Sequence, residues 1–259
     1  MKKSPLRISA VSYINAKPFV YGIENSGFLK DYSLSLDIPS VCAEKLISGK
    51  ADIGLAPVTI IPQLKEHYIV PDFCIGSNGP VRTVMLYSDV PLRNIRSIYL
   101  DYQSKTSVIL LQILAKHWWK IAPTWIPAGE GYEKKIRAAQ AGLIIGDRNF
   151  SLSGKFKYEY DLSEEWKLFT GQPFVFACWI ANKKPDASVI NAFHDALKFG
   201  IENRAAVIKM LKKEYDENTM IEYLNSSIDY CFDKKKQEAL DLFLKLGKEI
   251  ATQHIHRDT

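Results

Sequence analysis

No run of apolar residues in this 259-residue chain is long enough to cross a bilayer. The longest, "VILLQILA" (Val108 to Ala115) and "FVFACWIA" (Phe174 to Ala181), fall well short of the roughly 20 residues a membrane helix needs. Two lysines open the chain, but no continuous apolar stretch follows them, so no secretory signal is expected. Cysteine is scarce. The four present, Cys42, Cys74, Cys178 and Cys231, are widely spaced, form no C-x-x-C pair and sit in apolar or strand-like surroundings. They read as buried reduced thiols, which fits a cytoplasmic protein. The five histidines are scattered: His67, His117, His194, His254 and His256, the last two in an expected frayed tail. No G-x-G-x-x-G, Walker loop, H-E-x-x-H or G-x-S-x-G occurs. No metal site is therefore expected, and no residue announces itself as a general base. Charge of one sign is also lacking: 34 basic and 29 acidic residues leave a net +5. The basic clusters "KMLKKEY" and "FDKKKQE" read as solvated helix faces, with no nucleic-acid partner expected.

What is present is an alternation of strand and helix. "LRISAVS", "SLSLDIP" and "ADIGLAP" read as strands, "SVCAEKLISG" as a helix opened by Ser40 and closed by Gly49, and "TIIPQLKEH" as a short helix. "YIVPDFCIGS" and "VRTVMLYS" are strands around a Gly-Pro break. The middle third repeats the grammar, with "SIYLD", "PTWIPA" and "LIIGD" as strands, "TSVILLQILAKHWWK" as an apolar helix and "YEKKIRAAQAG" as an amphipathic helix ended by Gly142. The last third is helical, with Val189, Ile190, Phe193, Leu197 and Ile201 on one stripe. Two further helices are expected near 217–224 and 233–251. Such a β-α-β run implies sheets covered by helices. The reading is an α/β protein of two lobes joined by a two-strand hinge: residues 1–88 with 180–259, and residues 89–179. Open α/β sheets bind ligands outside the carboxyl ends of their strands, so a ligand cleft between the lobes is expected there.

Those ends are polar and rich in small residues. Strand one ends at Tyr13 and Asn15, strand three at Pro57 and Val58, and the next break holds Ser77, Asn78 and Gly79. "SIYLD" gives way to "YQSKTS", and "LIIG" to Asp147. Ser104, Thr106 and Ser107 at a helix start suit an anion through hydroxyls, free N–H groups and the positive dipole end, and equally suit simple capping of the helix. A turn explains Ser77, Asn78 and Asn15 singly, and a cap explains Asp147. It is the five ends taken together that favour a ligand site.

The ordered set "SYINAKPF", "ADIGLAPVTIIP", "SNGPVRTVMLYS", "LDYQSKTSVILLQILA", "LIIGD" and "EEWKLFTGQPFVFACWIA", spanning Arg7 to Asn182, resembles the chorismate dehydratase family of the futalosine route to menaquinone. Two departures stand out: "GDRNF" is more polar and aromatic than the small-residue stretch expected there, and Lys17 occupies a position where the family varies. The resemblance implies a periplasmic-binding-protein-like type II fold with two mixed sheets flanked by helices. It further implies a hydro-lyase, free of metal and organic cofactor, that turns chorismate into 3-[(1-carboxyvinyl)oxy]benzoate and water. Asn15 and Ser77 would then be catalytic and position the reacting centre. Tyr13, Pro57, Val58, Asn78, Gly79, Ser104, Thr106, Ser107 and Asp147 would bind substrate, with the substrate's own enolpyruvyl carboxylate taking the proton. The expected partner is the small-molecule substrate alone, with neither membrane nor nucleic acid. Three alternatives share the fold: a solute-binding protein without chemistry, the related 1,4-dihydroxy-6-naphthoate synthase, and the effector domain of a transcription regulator, which would need an attached DNA-binding helix pair.

Overall fold

A computed structural model describes residues 5–255, with side chains through residue 250. His254 falls in the final helix with its side chain outside the described set, and His256 lies outside the described residues. The chain divides into two compact units, residues 1–76 with 175–233 and residues 77–174 with 234–259.

The first unit opens with β1 (Leu6–Val11), α1 (Lys17–Asn25), β2 (Tyr32–Asp37), α2 (Pro39–Ile47), β3 (Ile53–Pro57) and β4 (Tyr68–Ser77). The chain then builds the second unit from β5 (Val84–Ser88), β6 (Ser97–Leu100), α3 (Lys105–Ile113), β7 (Thr124–Pro127), β8 (Gln140–Ile145), β9 (Tyr158–Asp161) and α4 (Leu162–Thr170). It re-enters the first unit along β10 (Phe174–Ala181), α5 (Ala187–Glu202), α6 (Arg204–Leu211), α7 (Glu217–Glu222) and β11 (Asp229–Phe232), and ends on α8 (Lys234–Ile255). A six-stranded sheet, ordered β11-β4-β10-β3-β1-β2, forms the first unit, and a five-stranded sheet, β7-β6-β8-β5-β9, the second. Both are mixed: β1 runs parallel to β2 and β3 and β6 parallel to β7 and β8, while β10 on β3 and β5 on β8 and β9 are antiparallel.

The core follows from the apolar runs. β3 is buried along its whole length, and β10 nearly so, as expected of central strands covered on both faces. In the first unit Phe19 meets Phe73, Trp179 and Tyr230 edge-on at centroid distances of 5.3 to 6.0 Å. In the second, Trp166 packs edge-on against Phe174 and Phe243.

Several expectations are corrected. "YEKKIRAAQAG" is no amphipathic helix: only Tyr132–Lys135 turn helically, Ala138 takes a left-handed φ of 52°, and β8 already starts at Gln140. Gly142 is therefore mid-strand, where a Cβ would meet Ile136 at 2.4 Å, so its missing side chain makes room for packing instead of ending a helix. "TIIPQLKEH" forms a tight 3₁₀ segment, Val58–Gln63, containing Pro62. The apolar helix after "QSKTS" widens at Leu114–Trp119 and ends on Lys120 in the left-handed region. A short strand, β11, precedes the last helix. That helix belongs to the second unit, not to the first lobe, and the chain passes between the units three times, at Gly76–Ser77, Phe174–Val175 and Asp233–Lys234. Cys42, Cys74 and Cys178 are buried, but Cys231 is exposed, because alternation along β11 points it outward. The basic clusters are solvated except for Lys236, which is 2% exposed.

Candidate functional site

In the first unit, β1 and β3 are parallel neighbours, with Ser9 opposite Gly54. Their C-terminal ends therefore emerge on one edge of the sheet, and Tyr13, Asn15, Pro57 and Val58 follow directly from them. Asn15 lies in the tight turn Ile14–Ala16, and its carbonyl accepts a hydrogen bond from the Tyr230 hydroxyl at 3.0 Å. Pro18 occupies the first turn of α1, where its missing N–H has no helical partner to lose. Tyr13 and Asn15 are half-buried, whereas Pro57 and Val58 are enclosed, so the latter two shape the edge with their backbone and apolar surface. Beside them, Asp37 ends β2 and accepts from Lys45 at 2.6 and 2.8 Å, Ser35 at 2.8 Å and Ser9 at 3.0 Å. Burial pushes the Asp37 carboxyl up, but these donors overcome it and hold it below the usual carboxylate range.

The second unit gathers more. β6 and β8 are parallel, while β5 pairs antiparallel with both β8 and β9, so that Val84 lies opposite Ile145 and Met85 opposite Asp161. The ends of β6, β8 and β9 and the start of β5 therefore share one edge of the five-stranded sheet. That edge carries Ser104 to Ser107, Asp147 and the start of α4, which Ser77 meets through Ser163; Asn78 and Gly79 follow Ser77 in the chain. Ser104 is the N-cap of α3: its Oγ accepts from the Ser107 N–H at 3.3 Å and lies 3.2 Å from the Ser107 Oγ. The capping reading thus holds for Ser104. Thr106 and Ser107, 1% and 2% exposed, occupy the first turn beside it. Gly79 has a φ of 139° that side chains rarely adopt, and Asn78 is exposed next to it. Asp147 is half-buried at the head of a 3₁₀ turn, directly after Gly146 at φ 76°.

Two carboxylates missed at the sequence level organise this edge. Asp101 is 3% exposed and accepts from Gln103 N and Tyr132 Oη at 2.8 Å, Ile145 N at 3.0 Å and Arg148 Nη2. It ties the segment before α3 to the segment after β8. Arg148, in the departing "GDRNF" stretch, also donates to Glu133 and lies over the Tyr102 and Tyr132 rings. Burial works against its charge, but Asp101, Tyr132 and Glu133 more than offset that and raise the guanidinium further. Asp161 caps α4, accepting from Ser163 N at 2.9 Å, Glu164 N at 3.2 Å and Arg82 N at 2.5 Å. Asp101 was legible as the polar end of "SIYLD"; Asp161 closes the polar strand "YEYD", which has no apolar alternation to mark it. Among the described residues, no cluster of three histidine, cysteine or carboxylate side chains could hold a metal ion.

The arrangement is that of a binding-protein-like α/β molecule with polar strand ends. Protein AF1704 from Archaeoglobus fulgidus matches it with a TM-score of 0.75 at 12% identity, over 97% of this chain and 100% of that one. The periplasmic aliphatic sulphonate binding protein SsuA from Escherichia coli matches at 0.63 and 14% identity, over 98% and 94%. At these identities the likeness concerns the fold, which is that of the periplasmic binding proteins. A family model described as menaquinone biosynthesis matches residues 6–249, and the chain belongs to that family. Chorismate dehydratase from Thermus thermophilus is 26% identical over 225 residues, 76% of this chain and 78% of that protein.

Proposed function

We propose that the protein is a chorismate dehydratase of the futalosine route: a cytoplasmic, cofactor-independent hydro-lyase that converts chorismate to 3-[(1-carboxyvinyl)oxy]benzoate and water. Family membership and the similarity to the Thermus enzyme support this reading. The observation that carries it is the start of α3 at the edge of the second sheet, where Ser104, Thr106 and Ser107 are buried together around the first turn of the helix. Such a donor-rich edge suits a carboxylate and a departing hydroxyl.

The chemistry asks little of a protein base. The hydrogen on the ether-bearing ring carbon is activated through the ring double bonds by the ring carboxylate. As that C–H bond breaks, its electrons enter the ring and the neighbouring C–O bond breaks. The substrate's enolpyruvyl carboxylate takes the proton and hands it to the departing hydroxyl, which leaves as water, so the carboxylate is regenerated. Aromaticity supplies the driving force, so the chain's task is to orient the dianion and exclude solvent. Asn15 and Ser77 position the reacting centre. Ser104, Thr106 and Ser107 hold a carboxylate, and Tyr13, Pro57, Val58, Asn78, Gly79 and Asp147 complete the binding surface.

Incubation of the purified protein with chorismate, followed by chromatography and mass spectrometry, tests the assignment. Loss of chorismate with appearance of a benzoate lighter by one water is expected; unchanged chorismate overturns it. Ser77→Ala and Asn15→Ala are each expected to lower turnover by about 10²-fold or more, as for loss of a preorganised donor, without changing the circular dichroism spectrum. A second reading, a small-anion binder without chemistry, draws on the fold shared with SsuA, and saturable chorismate binding with no product selects it.

A further inference from the structure

Ser77 has a partner whose role the reading above does not include. Its Oγ lies 2.5 Å from the Oγ of Ser163, a residue 86 positions away in sequence, and the two side chains are 0% and 1% exposed. We infer that Ser163 is a positioning residue for the Ser77 hydroxyl: by donating to it, Ser163 fixes one Ser77 rotamer and leaves the Ser77 proton free for the ligand. The inference rests on Ser77 belonging to the proposed site.

The surroundings support it from both sides. Ser163 stands in the first turn of α4, its own N–H taken by Asp161 Oδ1 at 2.9 Å. The other oxygen of the same carboxylate accepts the Arg82 N–H at 2.5 Å, and Arg82 holds a left-handed φ of 65° in the loop that follows Ser77. One buried carboxylate thus anchors both the helix start bearing Ser163 and the loop that runs on from Ser77, holding the two hydroxyls in register. A pair of hydroxyls shares one proton along its line, so the other proton is available to a third group. The positive end of the α4 dipole makes Ser163 the better donor of the two. Ser77 is then the hydroxyl with a proton to offer, which suits a residue set against a departing hydroxyl.

Steady-state kinetics on Ser163→Ala, Ser77→Ala and the double variant test the inference, together with neutron diffraction from deuterated wild-type crystals. Ser163→Ala is expected to lower kcat about tenfold, the worth of one well-placed hydrogen bond, with KM changed less than about twofold. Ser163→Cys, close in size and a weaker donor, should fall between. The double variant should be no slower than Ser77→Ala alone, because Ser163 acts only through Ser77. Diffraction should place the deuteron on Ser163, directed at Ser77. Wild-type kcat in Ser163→Ala, full multiplication of the two single effects, or a deuteron on Ser77 directed at Ser163 overturns the inference. Inactivity of the wild-type protein toward chorismate overturns the proposed function instead, and the deuteron position then decides the inference by itself.

Discussion

Asp161 is a carboxylate placed where ionisation is costly. Burial raises it to about 6, against the lowering effect of N–H groups from Arg82, Glu164, Ser163 and Val81, whereas an aspartate in the unfolded chain titrates near about 4. Below about pH 4 both states hold the proton and the folded state carries no penalty. Between about pH 4 and about pH 6 the unfolded chain releases its proton first, so folding loses about 3 kcal/mol over that window. Chemical denaturation at pH 4 and pH 6.5 should therefore show wild-type stability changing by about 2 kcal/mol more unfavourably than that of Asp161→Asn, which has no proton to release, since part of the unfolded chains have already lost theirs at the lower pH. Equal changes in the two proteins would contradict the assignment. At this scale the strand-end residues were legible because β-α punctuation marks them: a short apolar run followed by Ser, Asn or Asp. Asp161 and Ser163 were not, since their importance comes from the antiparallel register of β5 on β9, which brings residue 161 opposite residue 85. No local pattern encodes that pairing.

The elements divide in the same way. Long apolar strands such as β3, β4 and β10 were legible from composition alone, and α2 from its stop at Gly49. The segment 132–142 misled because its charged and small residues fit a helical period, while the left-handed Ala138 and the close fit of Ile136 over Gly142 are tertiary facts. Glycine has another meaning where α1 crosses α5. A Cβ on Gly22 would lie 1.9 Å from the Ala196 carbonyl oxygen, and one on Gly200 would lie 1.9 Å from that of Pro18. The two helices approach backbone to backbone, and neither partner atom is a side chain that can move aside. Gly22→Ala should therefore destabilise the protein by about 3 kcal/mol or more, at the upper end of overpacking effects. Gly129→Ala, where nothing lies within 4 Å of the added carbon, should stay within about 0.5 kcal/mol. Urea titrations of both variants check the contrast, and comparable losses would show that α1 and α5 can separate to admit the methyl group.

At the scale of the whole molecule, each unit is completed by chain from far away: the first by residues 175–233, the second by 234–259. The sequence reading assigned all C-terminal helices to the first lobe because helical periodicity says which face is buried but not against what. The aromatic contacts supply the answer for α8. Phe243 stands edge-on to Phe174 at 5.0 Å and to Trp166 at 6.2 Å, and Gly247 lets Ile109 of α3 come close, at 3.2 Å from where a Cβ would be. Phe243 thus touches the helix whose first turn carries Ser163, and α8 packs on the helix whose first turn carries Ser107. Phe243→Ala should cost about 3–5 kcal/mol through lost burial and the cavity left behind, and the loss should be confined to one unit. Hydrogen exchange read by mass spectrometry should show protection falling in β5, β8, α3 and α4, while β1 and β3 keep theirs. Turnover of chorismate should fall with it, although Phe174 and Trp166, which Phe243 meets edge-on, are not proposed site residues. Uniform loss of protection across both sheets would mean that the two units unfold as one, and that the late return of α8 stabilises the whole chain instead of the edge that bears Ser77.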